Sequence, residues 1–412
     1  MVRAAVVRPR LGPVGFTDRL DRIAVHPLWG LLLLFGAFGV LFWLTSALAS
    51  PAQQWLETAV VARVQQWARS ALGDTPAWLV DLFAHGVLGG AGIVLTFLPI
   101  LVVFFSTLAI LEETGYLARA AYVMDRFMHL LGSHGKSFLP LFLGFGCNVP
   151  AVMAARIIES PSGRLLTILL VPLVPCSARL AVLALLTPVF FGGRALLFAL
   201  GLVGLNLLVL ALVGTVLNRT LFRGQHMAFI MELPLYHVPS PRAIGWFVWN
   251  NTWLFLRKAG TVILLVSLAV WAAGYFPGPG IEQSYLAAFG RVLAPLGHLM
   301  GMDWRMIVAL FSSFIAKENA VATLAILYGA GNGGAGLAQT IATSVSPATG
   351  LAFLTATMLF VPCVATLAVM HRETRSWRWT LSSVILQLTV ALTAATTVFH
   401  VAQRLGFGAQ GA

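Results

Sequence analysis

Charge is scarce in this sequence. Only 10% of its 412 residues are Asp, Glu, Lys or Arg, against 59% hydrophobic residues, whereas a soluble domain carries about 25% charged residues. So little polar surface excludes a water-soluble globule, and a mean hydropathy of +0.88 makes lipid the solvent. Cysteine is nearly absent: the three present are too few for a disulfide framework, and all lie in apolar segments as free thiols or ligands. No Cys-x-x-Cys pair, His-x-x-x-His pair or Ser/His/Asp set suggests an enzyme. A nucleotide loop is also lacking. Gly135-Lys136-Ser137 looks like the end of one, but the position that needs the first glycine is Leu130 and no strand precedes it. Acidic residues number 14 against 26 basic, a net charge of +12. The basic residues flank apolar runs, which reads as positive-inside asymmetry and excludes a nucleic-acid partner.

What is there is apolar length. Leu28–Ala49, Gly92–Leu111, Leu165–Phe190, Ala195–Leu217, Val262–Tyr275, Leu351–Met370 and Leu381–Val401 approach the roughly 20 helical residues that cross a bilayer core. Val262–Tyr275 is short, and its helix is expected to start near Asn251. Long runs between short charged loops predict an all-α polytopic membrane protein with about seven to nine transmembrane helices. Arg3, Arg8, Arg10, Arg19 and Arg22 place the N-terminus in the cytoplasm of a multi-pass protein of the cytoplasmic (inner) membrane. No small-residue cleavage site follows the first run, so it reads as a span rather than a removed signal.

Two basic loops expected on the cytoplasmic side, around Arg119–Lys136 and Arg219–Lys258, enclose three apolar segments. An odd number of crossings cannot begin and end on one face, so one segment must be re-entrant. Residues 138–158 fit, because Gly144, Gly146 and Pro150 interrupt them. A hairpin with its tip at Gly146-Cys147-Asn148 follows. The second half repeats the pattern. Leu173-Val-Pro-Cys176-Ser-Ala-Arg179-Leu-Ala-Val182 matches Phe360-Val-Pro-Cys363-Val-Ala-Thr366-Leu-Ala-Val369, and Lys317-Glu318-Asn319 interrupts the upstream stretch 306–326. A second hairpin there gives two halves of opposite orientation, the inverted-repeat plan of many transporters.

Each cysteine stands beside a helix breaker: Cys147 between Gly146 and Pro150, Cys176 after Pro175, Cys363 after Pro362. Thiolate together with carbonyl and carboxamide oxygen suits a borderline-soft divalent transition metal. Cys147, Cys176, Cys363, Asn148, Ser177, Glu318 and Asn319 are the expected metal ligands, near mid-membrane. Charges inside apolar segments are costly and usually mark a pathway or a pair. Lys317 is therefore a candidate gate residue. Arg179 would repel a cation and is expected to pair with a carboxylate such as Glu318. Glu112 and Glu113 end the second span, where cations could be collected. No permanently bound cofactor is expected.

At these residues the chain resembles the membrane domain of FeoB-type ferrous iron transporters. The resemblance rests on Leu111-Glu-Glu-Thr-Gly-Tyr-Leu-Ala-Arg-Ala-Ala-Tyr-Val-Met-Asp-Arg126, Gly135-Lys-Ser-Phe138, Gly144-Phe-Gly-Cys-Asn-Val-Pro150, Pro175-Cys-Ser-Ala-Arg179, Met231-Glu-Leu-Pro-Leu-Tyr-His-Val-Pro239, Ala316-Lys-Glu318 and Pro362-Cys-Val-Ala-Thr366. It runs from about Asp18 to Val401. It implies two inverted Gate-type repeats, Fe²⁺ as the transported ion with Mn²⁺ as an alternative, and the three cysteines along the ion path. The organisation expected is a basic cytoplasmic segment 1–25, a first span and external loop 26–90, a first Gate repeat 91–218, a cytoplasmic linker 219–258, a second Gate repeat 259–403 and a tail 404–412. Members of that family usually begin with a GTP-binding domain, whereas this sequence starts just before the membrane region. The resemblance therefore gives no ground to call this chain a GTPase: either a separate cytoplasmic G protein supplies that domain as a partner, or transport runs without it, or the sequence is a truncated piece, and a homo-oligomer is a further reading. An organic-solute carrier of nucleoside type and a non-transporting membrane scaffold are the competing readings.

Overall fold

The computed structural model describes residues 21–26, 28–71, 76–130, 135–221, 236, 238–277, 283–328 and 344–407. The N-terminal segment up to residue 20 with Arg3, Arg8, Arg10 and Arg19, linker residues 222–235 and 237, and the tail from 408 lie outside the described residues. The described chain is helical, with no strand. Among the described residues, five stretches are long and apolar enough to cross a membrane: Trp29–Ala71, Trp78–Glu113, Pro161–Thr220, Pro347–Thr374 and Trp377–Phe407.

The first helix, α1 (Trp29–Trp55), runs through a π-turn into α2 (Ala62–Ala71). At 1.5 Å per residue the whole rod is roughly 64 Å long, about twice a bilayer core. The segment expected as an external loop is therefore largely helix. A short helix, α3 (Ala77–Asp81), leads through another π-turn into α4 (Leu88–Glu113), which packs along α1. An elbow at Gly115 (φ +76°) then turns the chain into α5 (Tyr116–Leu130). Arg119, 1% exposed, pins the elbow. It donates to Asp21 at 2.5 Å and to the Gly115 carbonyl at 2.8 Å, and lies 3.7 Å over the Tyr236 ring. Burial pushes the Tyr236 phenol above its ordinary value, against the opposing Arg119 charge.

The first broken stretch follows. Helix α6 (Gly135–Leu143) ends at Gly144, and α7 (Asn148–Ala154) starts after Cys147 and packs back on α6. Helix α8 (Pro161–Leu170) tightens into a 3₁₀ turn at Val171–Leu173, the chain becomes extended, and α9 (Ser177–Phe191) begins after Cys176. The apolar run Leu165–Phe190 is thus two helices with the break just before Ser177, where Pro175 was expected to interrupt it, because Pro172 and Pro175 cannot supply the backbone donors that a continuous helix needs. Gly192 at φ +50° supplies the reversal into α10 (Ala195–Thr220), which lies along α9.

The helix leading into Val262 begins earlier than expected. Helix α11 (Pro241–Phe255) starts ten residues before Asn251, with Pro241 in the first turn and the Ser240 hydroxyl accepting from the Ala243 amide. It continues through a π-turn into α12 (Thr261–Tyr275). Arg257 therefore projects from a helix rather than from a loop. Helices α13 (Tyr285–His298), α14 (Trp304–Ser312) and α15 (Asn319–Leu327) follow, with the chain broken at 313–318 and α15 packed on α14. Helix α16 (Pro347–Leu359) ends at a second extended break, Phe360–Cys363. Helix α17 (Val364–Thr374) starts after it, and α18 (Trp377–Ala402) packs along α16.

Two apolar cores hold the bundle, and each break feeds the core of the opposite half. Val182, Leu183 and Leu186 of α9 pack with Met302, Met306 and Phe353, while Val364, Val369 and Met370 of α17 pack with Val149 and Val152. This reciprocal exchange places both breaks at the junction of the halves.

Candidate metal site

All three cysteines occupy the position just before a helix: Cys147 before α7, Cys176 before α9, Cys363 before α17. Each has extended backbone there. Negative charge is favoured at that end of a helix. One cavity of about 90 Å³ brings the three together, lined also by Asn148, Ser177, Lys317, Glu318 and Thr366. That space is large enough for several waters.

The walls of the cavity are fixed by backbone hydrogen bonds that recur in both halves. The Ser177 amide, one residue after Cys176, donates to the Gly146 carbonyl at 3.2 Å, and the Ser177 hydroxyl donates to the same oxygen at 2.8 Å. In the other half the Val364 amide, one residue after Cys363, donates to the Phe314 carbonyl at 2.8 Å. Each bond ties a helix break to the adjacent turn between short helices.

The buried cations have a different task from the one expected. Arg179 is fully buried and does not pair with Glu318. It donates to the carbonyls of Pro172 (2.7 Å) and Val174 (3.3 Å) in one break and of Phe360 (2.5 Å) in the other. Lys317, 3% exposed, donates to Val361 O at 2.6 Å. Unwinding leaves carbonyls that lipid cannot solvate, and these two side chains satisfy them. These four freed carbonyls are therefore engaged by protein.

Two side-chain oxygens beside the cavity have no partner. Asn148 Oδ1 and Glu318 Oε2 are buried and accept no hydrogen bond, and both residues line the cavity. Asn319 does not line it and instead opens α15, its carbonyl accepting from Ser312 Oγ at 3.3 Å. Glu112 and Glu113 stand apart as well. Glu113 accepts the Ser240 amide at 2.7 Å, holding the start of α11. Among the described residues no three His, Cys, Asp or Glu side chains are close enough to hold a metal ion as a cluster. Thr366, present in the repeat but not among the expected ligands, lines the cavity and sits 3.2 Å from Cys363 Sγ. The aligned repeats carry the signal for it, since it occupies the register of Arg179.

Compared with known proteins, residues 94–190 and 256–377 match the family model Gate, described as nucleoside recognition. Residues 199–251 match the model described as the ferrous iron transport protein B C terminus. The chain belongs to the FeoB-type Gate family. It is 37% identical over 397 residues to the Fe(2+) transporter FeoB of Staphylococcus aureus strain MSSA476, covering 93% of this chain and 59% of that one. With the Fe(2+) transporter FeoB of Methanocaldococcus jannaschii it shares 34% identity, over 95% of this chain and 60% of the relative. With that of Campylobacter jejuni it shares 32%, over 94% and 66%. The chain thus spans about three-fifths of the length of the first two of these relatives. No solved structure matches it.

In this Gate chain a wide vestibule of about 780 Å³ adjoins the cavity, and Val149 and Phe255 line both. Arg156, Arg164, Arg372, Arg375 and Glu373 line the vestibule. Arg156 donates to Glu373 with both Nε and Nη2, and Arg164 Nη2 donates to it at 2.8 Å. Glu373 closes α17 while its arginines come from the end of α7 and the start of α8, so this clasp joins the two halves on the Gate's basic face.

Proposed function

We propose that this Gate chain passes a divalent transition metal, Fe²⁺ foremost, through the cavity shared by Cys147, Cys176 and Cys363. The reading rests on two buried acceptor oxygens, Asn148 Oδ1 and Glu318 Oε2, left without partners beside three thiols. A buried acceptor in want of a donor is costly, and a cation with mixed oxygen and sulfur preference relieves that cost. Ligands spread along a cavity without forming a three-residue cluster suit an ion in transit better than a resident one. The names of the relatives, Fe(2+) transporter FeoB, support iron. Mn²⁺ fits the oxygens but gains less from the thiols.

The family description, nucleoside recognition, favours a second reading as an organic-solute carrier. Size weighs against it. Small-molecule pockets occupy about 300–1,000 Å³, and the cavity encloses about 90 Å³.

The proposal places the arginine-rich vestibule in the cytoplasm of a multi-pass protein of the cytoplasmic membrane, by the positive-inside rule. It extends to a cytoplasmic partner. One relative, from Porphyromonas gingivalis, is a fusion of Fe(2+) transport protein A with FeoB. The deciding experiment is anaerobic ⁵⁵Fe²⁺ uptake into cells and into vesicles holding the purified chain, with nucleosides as competitors. Uptake is expected to fall for Cys147→Ser, Cys176→Ser, Cys363→Ser, Asn148→Ala and Glu318→Gln at equal protein level. Unchanged uptake in all three cysteine variants removes the thiols from the mechanism, and competition by nucleosides but not Mn²⁺ overturns the metal reading.

A further inference from the structure

A second cavity, of about 810 Å³, opens at the side of the bundle between α11–α12 and α17–α18. Its mouth is flanked by Trp253 and Trp377, 53% and 72% exposed, and by the exposed Leu381. One end is polar and basic, with Arg257, Arg372 and His371. The remainder is an apolar trough formed by Phe314, Val364, Leu367, Ala368 and Val384. Among the described residues no carboxylate lines it. The nearest in the adjoining vestibule, Glu373, is already engaged by Arg156 and Arg164. His371 stacks on Trp377 with ring centres 4.0 Å apart, and its Nδ1 is buried without a partner.

From this arrangement we infer that the groove is a binding site for an anionic phospholipid. The phosphate end meets Arg257, Arg372 and His371, and an acyl chain lies in the trough. The occupant follows from the site's position and charge. The groove opens on the face that meets lipid, so hydrocarbon fills its trough. Basic pockets between membrane helices select anionic headgroups, and tryptophans at a groove mouth mark headgroup depth. A zwitterionic lipid would fill the same trough but leave the two guanidiniums without counter-charge.

The site also reaches the central cavity. Phe314 and Val364, which share the backbone bond between turn and break, line the groove, while their neighbours Ile315, Cys363 and Ala365 line the cavity. A lipid seated here braces the outer side of one break, so its loss loosens the wall that carries Cys363.

The test reads lipid rather than metal, so its outcome is separate from that of the transport reading. The purified chain is reconstituted in vesicles of phosphatidylcholine with brominated phosphatidylglycerol or brominated phosphatidylcholine in equal proportion. Quenching of Trp253 and Trp377 is obtained by difference from the Trp253→Phe/Trp377→Phe variant. Selective quenching by the phosphatidylglycerol probe is expected. Arg257→Gln and Arg372→Gln are each expected to lower its preference about fivefold, and Arg257→Lys to retain most of it. Equal quenching by both probes, or full selectivity in the double Arg257→Gln/Arg372→Gln variant, overturns the proposal. Absence of quenching by either probe together with a dimer in detergent also overturns it, since a second copy would then cover the groove.

Discussion

Arg179 and Phe360 are 181 residues apart in sequence, yet Arg179 Nη2 donates to the Phe360 carbonyl at 2.5 Å inside the bundle. One guanidinium thereby serves the unwound segments of both halves, because its other terminal nitrogen serves Pro172 and Val174. Helix breaks at membrane depth need such donors, and only a planar fork reaches three carbonyls at once. Arg179→Met is therefore expected to abolish folding or lower the unfolding temperature sharply, since each orphaned buried carbonyl costs about 1–3 kcal/mol. Arg179→Lys should be intermediate. Thermal unfolding in detergent, followed by intrinsic fluorescence, checks the order wild type, Lys, Met.

Lys317 offers a milder version of the same experiment. It serves one carbonyl, Val361 O, and lies 5.4 Å from the centre of the Phe360 ring. Lys317→Met is expected to cost less than Arg179→Met, on the order of one unmet hydrogen bond, about 1–3 kcal/mol. A loss as large as that of Arg179→Met would mean that Lys317 does more than satisfy the break.

The breaks themselves were legible in the sequence, since Gly144, Gly146, Pro175 and Pro362 mark where helices cannot continue, and the Val-Pro-Cys repeat shows that the halves correspond. The cysteines followed from their places beside those residues. What the sequence concealed was partner choice at long range. Arg179 reads as a cation in want of a carboxylate, because a sequence displays side chains but not freed backbone carbonyls, and here the carbonyls won. The Glu373 clasp was hidden for the same reason: its arginines lie 217 and 209 residues away. The helical continuation from Trp55 to Ala71 was hidden by polarity, because a helix leaving the bilayer loses the apolar run that announced it.

Gly146 is required by contact rather than by dihedral angle. A Cβ there would lie 2.3 Å from the Phe104 ring, and the Gly146 carbonyl is held by Ser177. Gly146→Ala should push the turn away from Ser177 at a cost typical of overpacking, about 1–3 kcal/mol, and should lower metal uptake. Phe104→Leu in the same chain removes the ring that the methyl meets, so the double variant should recover much of the stability. If the double variant is no better than Gly146→Ala alone, the Phe104 contact is not the cause.

The Glu373 clasp predicts a charge-specific effect. Glu373→Gln keeps the shape but removes the carboxylate that Arg156 and Arg164 share, so the junction of the halves should weaken by about 1.5–3 kcal/mol, the range for a hydrogen bond to a charged group, reduced by the partial exposure of both arginines. The pair should tolerate reversal: Glu373→Arg with Arg164→Glu is expected to be more stable than either single change. A double-mutant cycle on unfolding midpoints measures the coupling, and a coupling near zero would show that the halves hold together without the clasp.

Thiol chemistry separates the metal reading from a packing role for the cysteines. All three are half-buried free thiols that line one cavity, so variants retaining a single cysteine should each react with a small water-soluble maleimide at a measurable rate. An ion held beside Asn148 and Glu318 would occupy the space that the reagent must enter, and would draw the thiols as ligands. Anaerobic Fe²⁺ is thus expected to slow labelling several-fold at each position. Mg²⁺, a hard ion that keeps its waters, should not. Cys363 should be the slowest without metal, because its sulfur already contacts the Thr366 hydroxyl at 3.2 Å, and Thr366→Val should speed it while leaving Cys147 unchanged. Equal protection by Fe²⁺ and Mg²⁺ would point to a general ionic effect and detach the thiols from metal selection.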